Sequence, residues 1–488
     1  MLYHATRLRI RVCLALIPAL VLQGCATINP PDNVAITQID EQSGYRMGSK
    51  RTVGMFGDTL VLLSFSGGGT RAAALSYGVL QELRDTIKSK DGETSRLLDE
   101  VDLISSVSGG SFTSAYYGLY RDKIFEDFED DFLRLGVQQA LINQLFNPMH
   151  WLRSTFYGFD RTEMAIDYYD RMIFKGATFA DLNRNGKPFI DINATDLTSG
   201  QRFTFTPEQF DLICTDLNQF SIARAVTASS AVPVAFPTVV LRNHAEKCDV
   251  SGTAGWAAML QIKAQVDSEA QKEIIDNMMS LRDAQKRPYI HLVDGGTSDN
   301  LGLRAIIDRF ERSGNTDFGR EAVREHMPKS ILVLLVNAEV KPDLLIEKTA
   351  RKPSVGATMS AYTSAQMNRY NQETLDRLQT KLQEIEALSV EIGKPTKVYF
   401  SEVSFDLVKQ RETYRLLNSL PTSLELEDNQ VDVLINGGRL LLRRESQFIK
   451  FKHDNQLILS ESAPSDQALC EMAGAEGCAS LTAATGSR

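Results

Sequence analysis

The chain has 488 residues, 43% of them hydrophobic and 24% charged, an ordinary globular composition with ample apolar material for a large core. That length admits roughly two or three domains, or one large α/β unit with additions. A formal net charge of −9, with no basic stripe along the sequence, excludes nucleic acid as the expected partner.

The N-terminus places Arg7, Arg9 and Arg11 ahead of an apolar stretch from Val12 to Leu22. A basic start and an apolar run of about 7–15 residues predict an export signal, too short for a stable membrane span. Its end, "LQGCA" (Leu22–Ala26), resembles a bacterial lipoprotein cleavage box in which Cys25 is the lipid-modified residue; Gln23 is a less usual occupant. On this reading residues 1–24 are a signal peptide, and their loss removes three arginines and no acid. The acidic body is then expected on a membrane surface of the bacterial cell envelope, held there by lipid. Ala26 after the cysteine favours the outer membrane. A plain secreted chain with an incidental cysteine is the alternative. Of the remaining cysteines, nearest-neighbour pairing joins Cys214 to Cys248 and Cys470 to Cys478. None has CxxC or Cys/His metal spacing, so no metal site is expected.

Residues 25–57 are polar, with Pro30 and Pro31, and predict a tether. "TLVLLSF" (Thr59–Phe65) is then a continuous apolar run ending in Gly67-Gly68-Gly69, followed by apolar residues three or four apart from Ala74 to Leu83. "VDLISSV" repeats the design, running into a glycine turn and a helix. "FIDINA" (Phe189–Ala194), "YIHLV" (Tyr289–Val293) and "SILVLLVNA" (Ser330–Ala338) are further runs of this kind. Short apolar runs alternating with helices predict parallel strands buried on both faces, hence an α/β sandwich with a mainly parallel central sheet. Such sheets bind ligands beyond the carboxyl ends of their strands, and three of these strands end in "GGG", "SGG" and "DGG".

Two stretches look inserted: 120–175, with the aromatic "LFNPMHWLRSTFYGF" (Leu145–Phe159), and 256–283, read as one helix with Ala258, Ile262, Val266, Ile274, Met278 and Leu281 on one side. Both fit helices packed on the core or a lid over a site. Beyond residue 340 a polar helix (about 360–389), a strand "KVYFSEVSF" (Lys397–Phe405) and helical sequence to about 445 are expected, with a tail after 450.

Three strand ends carry candidate chemistry. Ser108 in "SVSGG" sits where a nucleophile elbow reads G-x-S-x-G, with small Ser106 and Gly110 two residues either side of it. Taken alone, the stretch is a weak signal that fits an inert turn better than a nucleophile. "SGGGTR" (Ser66–Arg71) aims successive glycine N–H groups and a helix N-terminus at one point, an arrangement suited to a developing oxyanion. It lacks the GK[ST] ending of a nucleotide-binding loop. Asp294 in "VDGG" ends a strand on the same edge, where burial makes a carboxylate a better base. None of the six histidines lies in a strand-end glycine context, which favours a Ser–Asp dyad over a triad.

The ordered pieces "SGGGTRAAALSYGVLQEL" (66–83), "SSVSGGSF" (105–112), "NATDLTSGQRFTF" (193–205), "ARAVTASSAVPVAFPTV" (223–239) and "VDGGTSDNLGL" (293–303) resemble the patatin-like phospholipases. The resemblance implies that family's three-layer sandwich, with Ser108 as nucleophile and Asp294 as base. It further implies Gly67, Gly68, Gly69 and Gly109 as oxyanion donors, and a basic residue, Arg71, that meets either a substrate phosphate or a neighbouring acid. Two departures stand out: Ser106 replaces the elbow glycine, and Ala72 ends the G-x-G-x-x-G pattern. The expected layout is a catalytic domain at 58–310, an α/β extension at 311–450 and a tail at 451–488. The expected activity is cofactor-free hydrolysis of fatty-acyl esters of membrane lipids. A non-catalytic lipid- or partner-binding lipoprotein, and an esterase or thioesterase for soluble esters, are the alternatives.

Overall fold

A computed structural model describes residues 33–46, 59–90, 92–137, 161–233, 236–266, 269–315, 327–341, 350–459 and 464–472. The expected signal segment, Cys25, the aromatic stretch 145–159 and Cys478 lie outside these.

The strands are β1 (Thr59–Phe65), β2 (Thr86–Lys90), β3 (Glu93–Arg96), β4 (Val101–Val107), β5 (Phe189–Asp196), β6 (Arg202–Thr204), β7 (Val239–Arg242), β8 (Tyr289–Asp294), β9 (Ser330–Val336), β10 (Lys397–Val403) and β11 (Ile458–Leu459). Eight of them form one sheet in the order β10-β9-β1-β4-β5-β8-β7, with β6 paired to β5, while β11-β2-β3 make a small separate sheet. From β10 to β5 every neighbouring pair is parallel. β5 and β9 are buried along their whole length, and β1 and β4 at all but one position each. That is why their sequences are continuous apolar runs rather than alternating ones.

The other half of the sheet is antiparallel, and here the expectation of a parallel β8 is corrected. β8 runs against β5, pairing Ala194 with Asp294 and Asp196 with Leu292. It enters from beyond the carboxyl edge and stops level with Ala194, one residue past Asn193, which itself pairs with Val107. A reversed strand therefore still delivers its last residue to the carboxyl edge, where β4 also ends. The alternating burial of β8 follows from its place next to the edge strand β7.

The sheet does not end with the first 310 residues: β9 pairs with β1 and β10 with β9, completing it. The helix Asp428–Arg444 lies against the helix Thr70–Asp85 that follows β1. A buried charge cluster ties them, with Arg443 Nε donating to Glu82 at 2.5 Å and Arg439 to Asp85 at 2.8 Å.

Two further expectations change. Residues 33–46 are not a free tether. Tyr45 is buried, stacks on Phe189 with ring centroids 4.3 Å apart, and donates to Ile190 O at 3.0 Å. Ring burial and a satisfied phenol hold this segment to the body. The stretch 256–283 is two helices, Ala254–Gln265 and Glu269–Ser280, parted at the buried, extended Val266. Ile275 rather than Ile274 is buried in the second. The Cys214–Cys248 pairing is observed.

Candidate active site

β4 ends at Val107, and the chain turns at Ser108 directly into the helix Gly109–Tyr120. Ser108 has φ 50° and ψ −121°, a conformation that costs a non-glycine residue about 1–3 kcal/mol and persists only where its surroundings over-determine it. They do. Ser108 N–H donates to Ser229 Oγ at 2.9 Å, and Ser229 Oγ in turn donates to Asn193 O at 2.6 Å. Ser111 N–H closes back on Ser108 O at 2.9 Å. The turn thereby lifts the serine side chain out of the strand and onto the edge of the sheet.

Ser106, in place of the usual elbow glycine, is fully buried and satisfied. Its hydroxyl pairs with Ser114 Oγ at 2.6 Å and donates to Asp191 O at 3.1 Å. A hydroxyl with partners on both sides is tolerated where a hydrophobic side chain of the same reach would not be.

Asp294 meets Ser108 at this edge. The serine hydroxyl donates to Asp294 Oδ2 at 3.0 Å, and Gly296 N–H donates to Oδ1 at 2.7 Å. Thr195 Oγ1 donates to Asp294 O at 2.9 Å, and Asp294 N–H donates to Ala231 O at 3.0 Å. Both side chains are almost wholly buried, 7% exposed for Ser108 and 8% for Asp294. Burial pushes the Asp294 carboxyl up to about 6, against the smaller opposing pull of the Gly296 and Ser108 hydrogen bonds. A carboxyl in that range is ionised at neutral pH yet basic enough to take a proton from a hydroxyl as it attacks. Among the described residues neither Ser108 nor Asp294 has a histidine partner. His291, on the same strand, instead faces Thr238.

The glycine turn after β1 lies against the serine: a Cβ on Gly67 would stand 3.4 Å from Ser108 Cβ. Of the four expected donors, Gly67 is removed, because its N–H is spent on Asn300 O at 2.9 Å. Gly68, Gly69 and Gly109 have no hydrogen bond on their N–H among the described residues. Gly69 has φ 62°, and a Cβ on Gly109 would collide with the Gly69 carbonyl. Two helices, Thr70–Asp85 and Gly109–Tyr120, thus begin face to face at the serine, and their N-terminal dipoles favour negative charge there. Gly109→Ala is expected to destroy this approach. It should lower the melting temperature and abolish ester hydrolysis, measured together by calorimetry and a chromogenic ester.

Arg71 does not serve as expected. It is 3% exposed, and its guanidinium donates to Ala338 O at 2.9 Å, Leu420 O at 2.8 Å and Thr422 Oγ1 at 2.9 Å. Burial lowers its pKa to about 10. Its donors clasp two loops from the far end of the chain onto the glycine turn, where Thr70 N–H also donates to Ser423 O at 2.9 Å. A side chain spent in this way is not presented to a substrate head group. Arg71→Lys is expected to leave buried carbonyls unpaired at about 1–3 kcal/mol. Thermal denaturation should show the loss, with KM unchanged across lipids of different head group.

Ser229 and Asn193, which hold the elbow, and Asn300, which draws in the glycine turn, were not marked by any spacing. Ser229 lies in the matched stretch 223–239, but a serine at a helix end carries no signal of what its hydroxyl will reach. Among the described residues no group of three or more His, Cys, Asp or Glu is placed to hold a metal ion.

A family model described as patatin-like phospholipase matches residues 63–307, just over half of the chain. The chain belongs to the patatin-like phospholipase family. Membership implies a carboxylic ester hydrolase, and the matched span of this patatin-like chain contains Ser108, Asp294 and the whole glycine turn. It does not reach β9, β10 or the loop that Arg71 clasps. No curated protein matches the chain. Among solved structures it is similar to human GIVD cytosolic phospholipase A2, with a TM-score of 0.41 and 10% identity over 86% of this chain and 63% of that one. The chain thus spans less than two thirds of that protein's length, and a likeness so distant transfers no roles.

Proposed function

We propose that this patatin-like chain hydrolyses fatty-acyl esters of membrane lipids through an acyl-enzyme formed on Ser108. The observation that carries the reading is the 3.0 Å hydrogen bond from Ser108 to the buried Asp294, made on a positive-φ turn beside glycine N–H groups that no described residue engages. Asp294 takes the hydroxyl proton as Ser108 Oγ attacks the ester carbonyl. The N–H groups of Gly68, Gly69 and Gly109 receive the charge that develops on the carbonyl oxygen, a contribution of about 3–4 kcal/mol for a well-placed donor. Asp294 returns its proton to the leaving alcohol. It then takes one from water, which attacks the acyl-serine, and passes it to Ser108 Oγ as the fatty acid leaves. The membrane-lipid part of the reading draws on the family, and is supported by the lipoprotein-like N-terminus, in which Cys25 would carry the anchor.

The test is labelling with a fluorophosphonate followed by peptide mapping. A single adduct on Ser108, prevented by prior incubation with phospholipid vesicles, is the expected result. Absence of any adduct, with no hydrolysis of vesicles or soluble esters, would leave a binding protein that keeps the fold. Adduct formation with equal activity on soluble short esters and vesicles would turn the reading to a soluble ester substrate.

A further inference from the structure

The helix Val355–Glu391, 37 residues long, lies outside the family-matched span and is seated along only part of its length. Asn371, Thr374, Leu378 and Leu382 are buried, three to four residues apart, as expected of a stripe facing the body. Contacts at both ends of this stripe give its direction. Asn371 Nδ2 donates to Glu339 at 3.1 Å, and Glu339 follows the carboxyl end of β9. Ser389 Oγ accepts from Thr396 N–H at 2.9 Å, just before the amino end of β10. The helix therefore runs from the carboxyl edge of the sheet to its amino edge. The residues before Asn371 extend past the carboxyl edge, the edge that carries Ser108 and Asp294. At 1.5 Å per residue, Val355 to Tyr370 is about 24 Å of helix.

This projecting part is capped, with Ser354 Oγ accepting from Ala357 N–H at 3.2 Å, and it meets the body at its last turn, where the Arg304 guanidinium lies 3.7 Å from the Tyr370 ring centre. No described side chain from 355 to 370 is buried. Val355 is 85% and Tyr362 62% exposed. Val355, Tyr362 and the exposed Arg369 stand seven residues apart, hence on one face. The charge is equally one-sided. Between Glu347 and Glu373 the chain has Lys348, Arg351, Lys352 and Arg369 and no acidic residue, in a protein whose net charge is −9. An exposed valine and tyrosine among cations, with no acid, suit the interface of an anionic bilayer, where apolar burial and attraction to head groups act together.

We propose that the helix Val355–Tyr370 contacts an anionic phospholipid bilayer and seats the carboxyl edge, with its serine, on the lipid. The proposal rests on the lipid-ester reading above for why that edge should face a membrane. The charge and the exposed residues commit it to a bilayer rather than to a second copy of the chain.

The experiment uses the full chain with Ser108→Ala, so that no lipid is consumed, and adds Tyr362→Trp. Vesicles of phosphatidylcholine and phosphatidylglycerol with brominated acyl chains report contact locally, whatever the N-terminus does. The expected result is quenching beyond that of the chain's own Trp151 and Trp256. Arg351→Glu with Lys352→Glu should weaken this by at least about tenfold, since each cation near an anionic surface contributes about 1 kcal/mol. In the chain that keeps Ser108, the same pair should lower vesicle hydrolysis and leave a soluble short-chain ester turned over as before. Quenching no greater than the parent's overturns the proposal, as does equal quenching on phosphatidylcholine alone. A concentration-dependent shift of the new tryptophan without lipid also overturns it, in favour of a second copy. Quenching without hydrolysis by the Ser108 chain would instead sink the catalytic reading and leave this one standing.

Discussion

Ser108→Ala is expected to reduce fatty-acid release from phospholipid vesicles by roughly 10⁴-fold or more, to near the rate without enzyme. The hydroxyl removed is the group from which the acyl-enzyme would form, and among the described residues no other hydroxyl donates to the Asp294 carboxylate. The fold should survive. Alanine keeps the backbone bond from residue 108 to Ser229 Oγ, and the side chain lost makes only the bond to Asp294. Ser108→Gly is a second reading of the same turn. Relief of the φ 50° conformation should make it about 1 kcal/mol or more steadier than the alanine variant, while leaving it equally inactive. Calorimetry on both, beside titration of released fatty acid, checks these outcomes. Residual hydrolysis within a few-fold of the parent would remove Ser108 from the mechanism.

Asp294→Asn is expected to silence the enzyme and stabilise it at once. The amide can still accept from Gly296 N–H and face Ser108, but it cannot take a proton. Hydrolysis should fall by about 10³-fold or more, general-base catalysis and nucleophile activation being lost together. The stability effect follows from the raised carboxyl. Its folded pKa of about 6 lies above the ordinary 3.8, so the folded chain binds the proton more tightly than the unfolded one. That contribution is fully present below about pH 4 and is lost as the pH rises through about 6. At pH 8 the parent holds a buried carboxylate at a cost of about 3 kcal/mol. Asparagine removes the charge, so the variant should melt several degrees higher than the parent at pH 8, with the gap closing towards pH 4. The parent's kcat/KM should rise with pH through about 6 as Asp294 ionises. Asp299 is also raised to about 6 by burial, but its Oδ2 accepts from Arg304 N–H at 2.8 Å and it does not touch the serine. An Asp299→Asn variant should therefore keep the limb. A flat profile from pH 5 to 8 would contradict the role of Asp294, and so would a variant that melts lower at pH 8.

The trade between stability and activity at Asp294 belongs to a wider pattern at this edge. Ser108 is held in a costly conformation and Asp294 in a costly environment, and both are maintained by neutral hydroxyls and backbone groups: Ser229, Thr195, Asn193 and the Gly296 N–H. The candidate reactive groups here are uncomfortable because their surroundings are rigid. Loops from beyond the family-matched span contribute to that rigidity, through Arg71 and Ser423.

How much of this was legible in the sequence varied with the range of the interaction. The strands β1, β4, β5, β8 and β9 could be read as apolar runs because burial on one or both faces leaves its mark on consecutive residues. Short, edge or exposed strands such as β6, β7 and β11 left no such mark. Ser108 and Asp294 were legible because each stands at a strand end followed by glycine, a local pattern with a local steric cause. The strand direction of β8 was not legible. Its sequence would serve in either direction, and only pairing with β5 decides which end meets the site.

The sequence by itself determined the fold class, the two candidate reactive groups and the glycine turn beside them, since these depend on residue type and short spacing. Only the tertiary structure decided which of them are free to act. Gly67 looks identical to Gly68 until Asn300 takes its N–H, and Arg71 looks like a substrate ligand until Ala338, Leu420 and Thr422 occupy its donors. The partners are hundreds of residues away in the last two cases, and a hydrogen bond at that separation has no spacing for a sequence to display. The projecting helix teaches the same lesson from the other side. The helix runs unbroken through Asn371, but where it leaves the body depends on where the sheet ends.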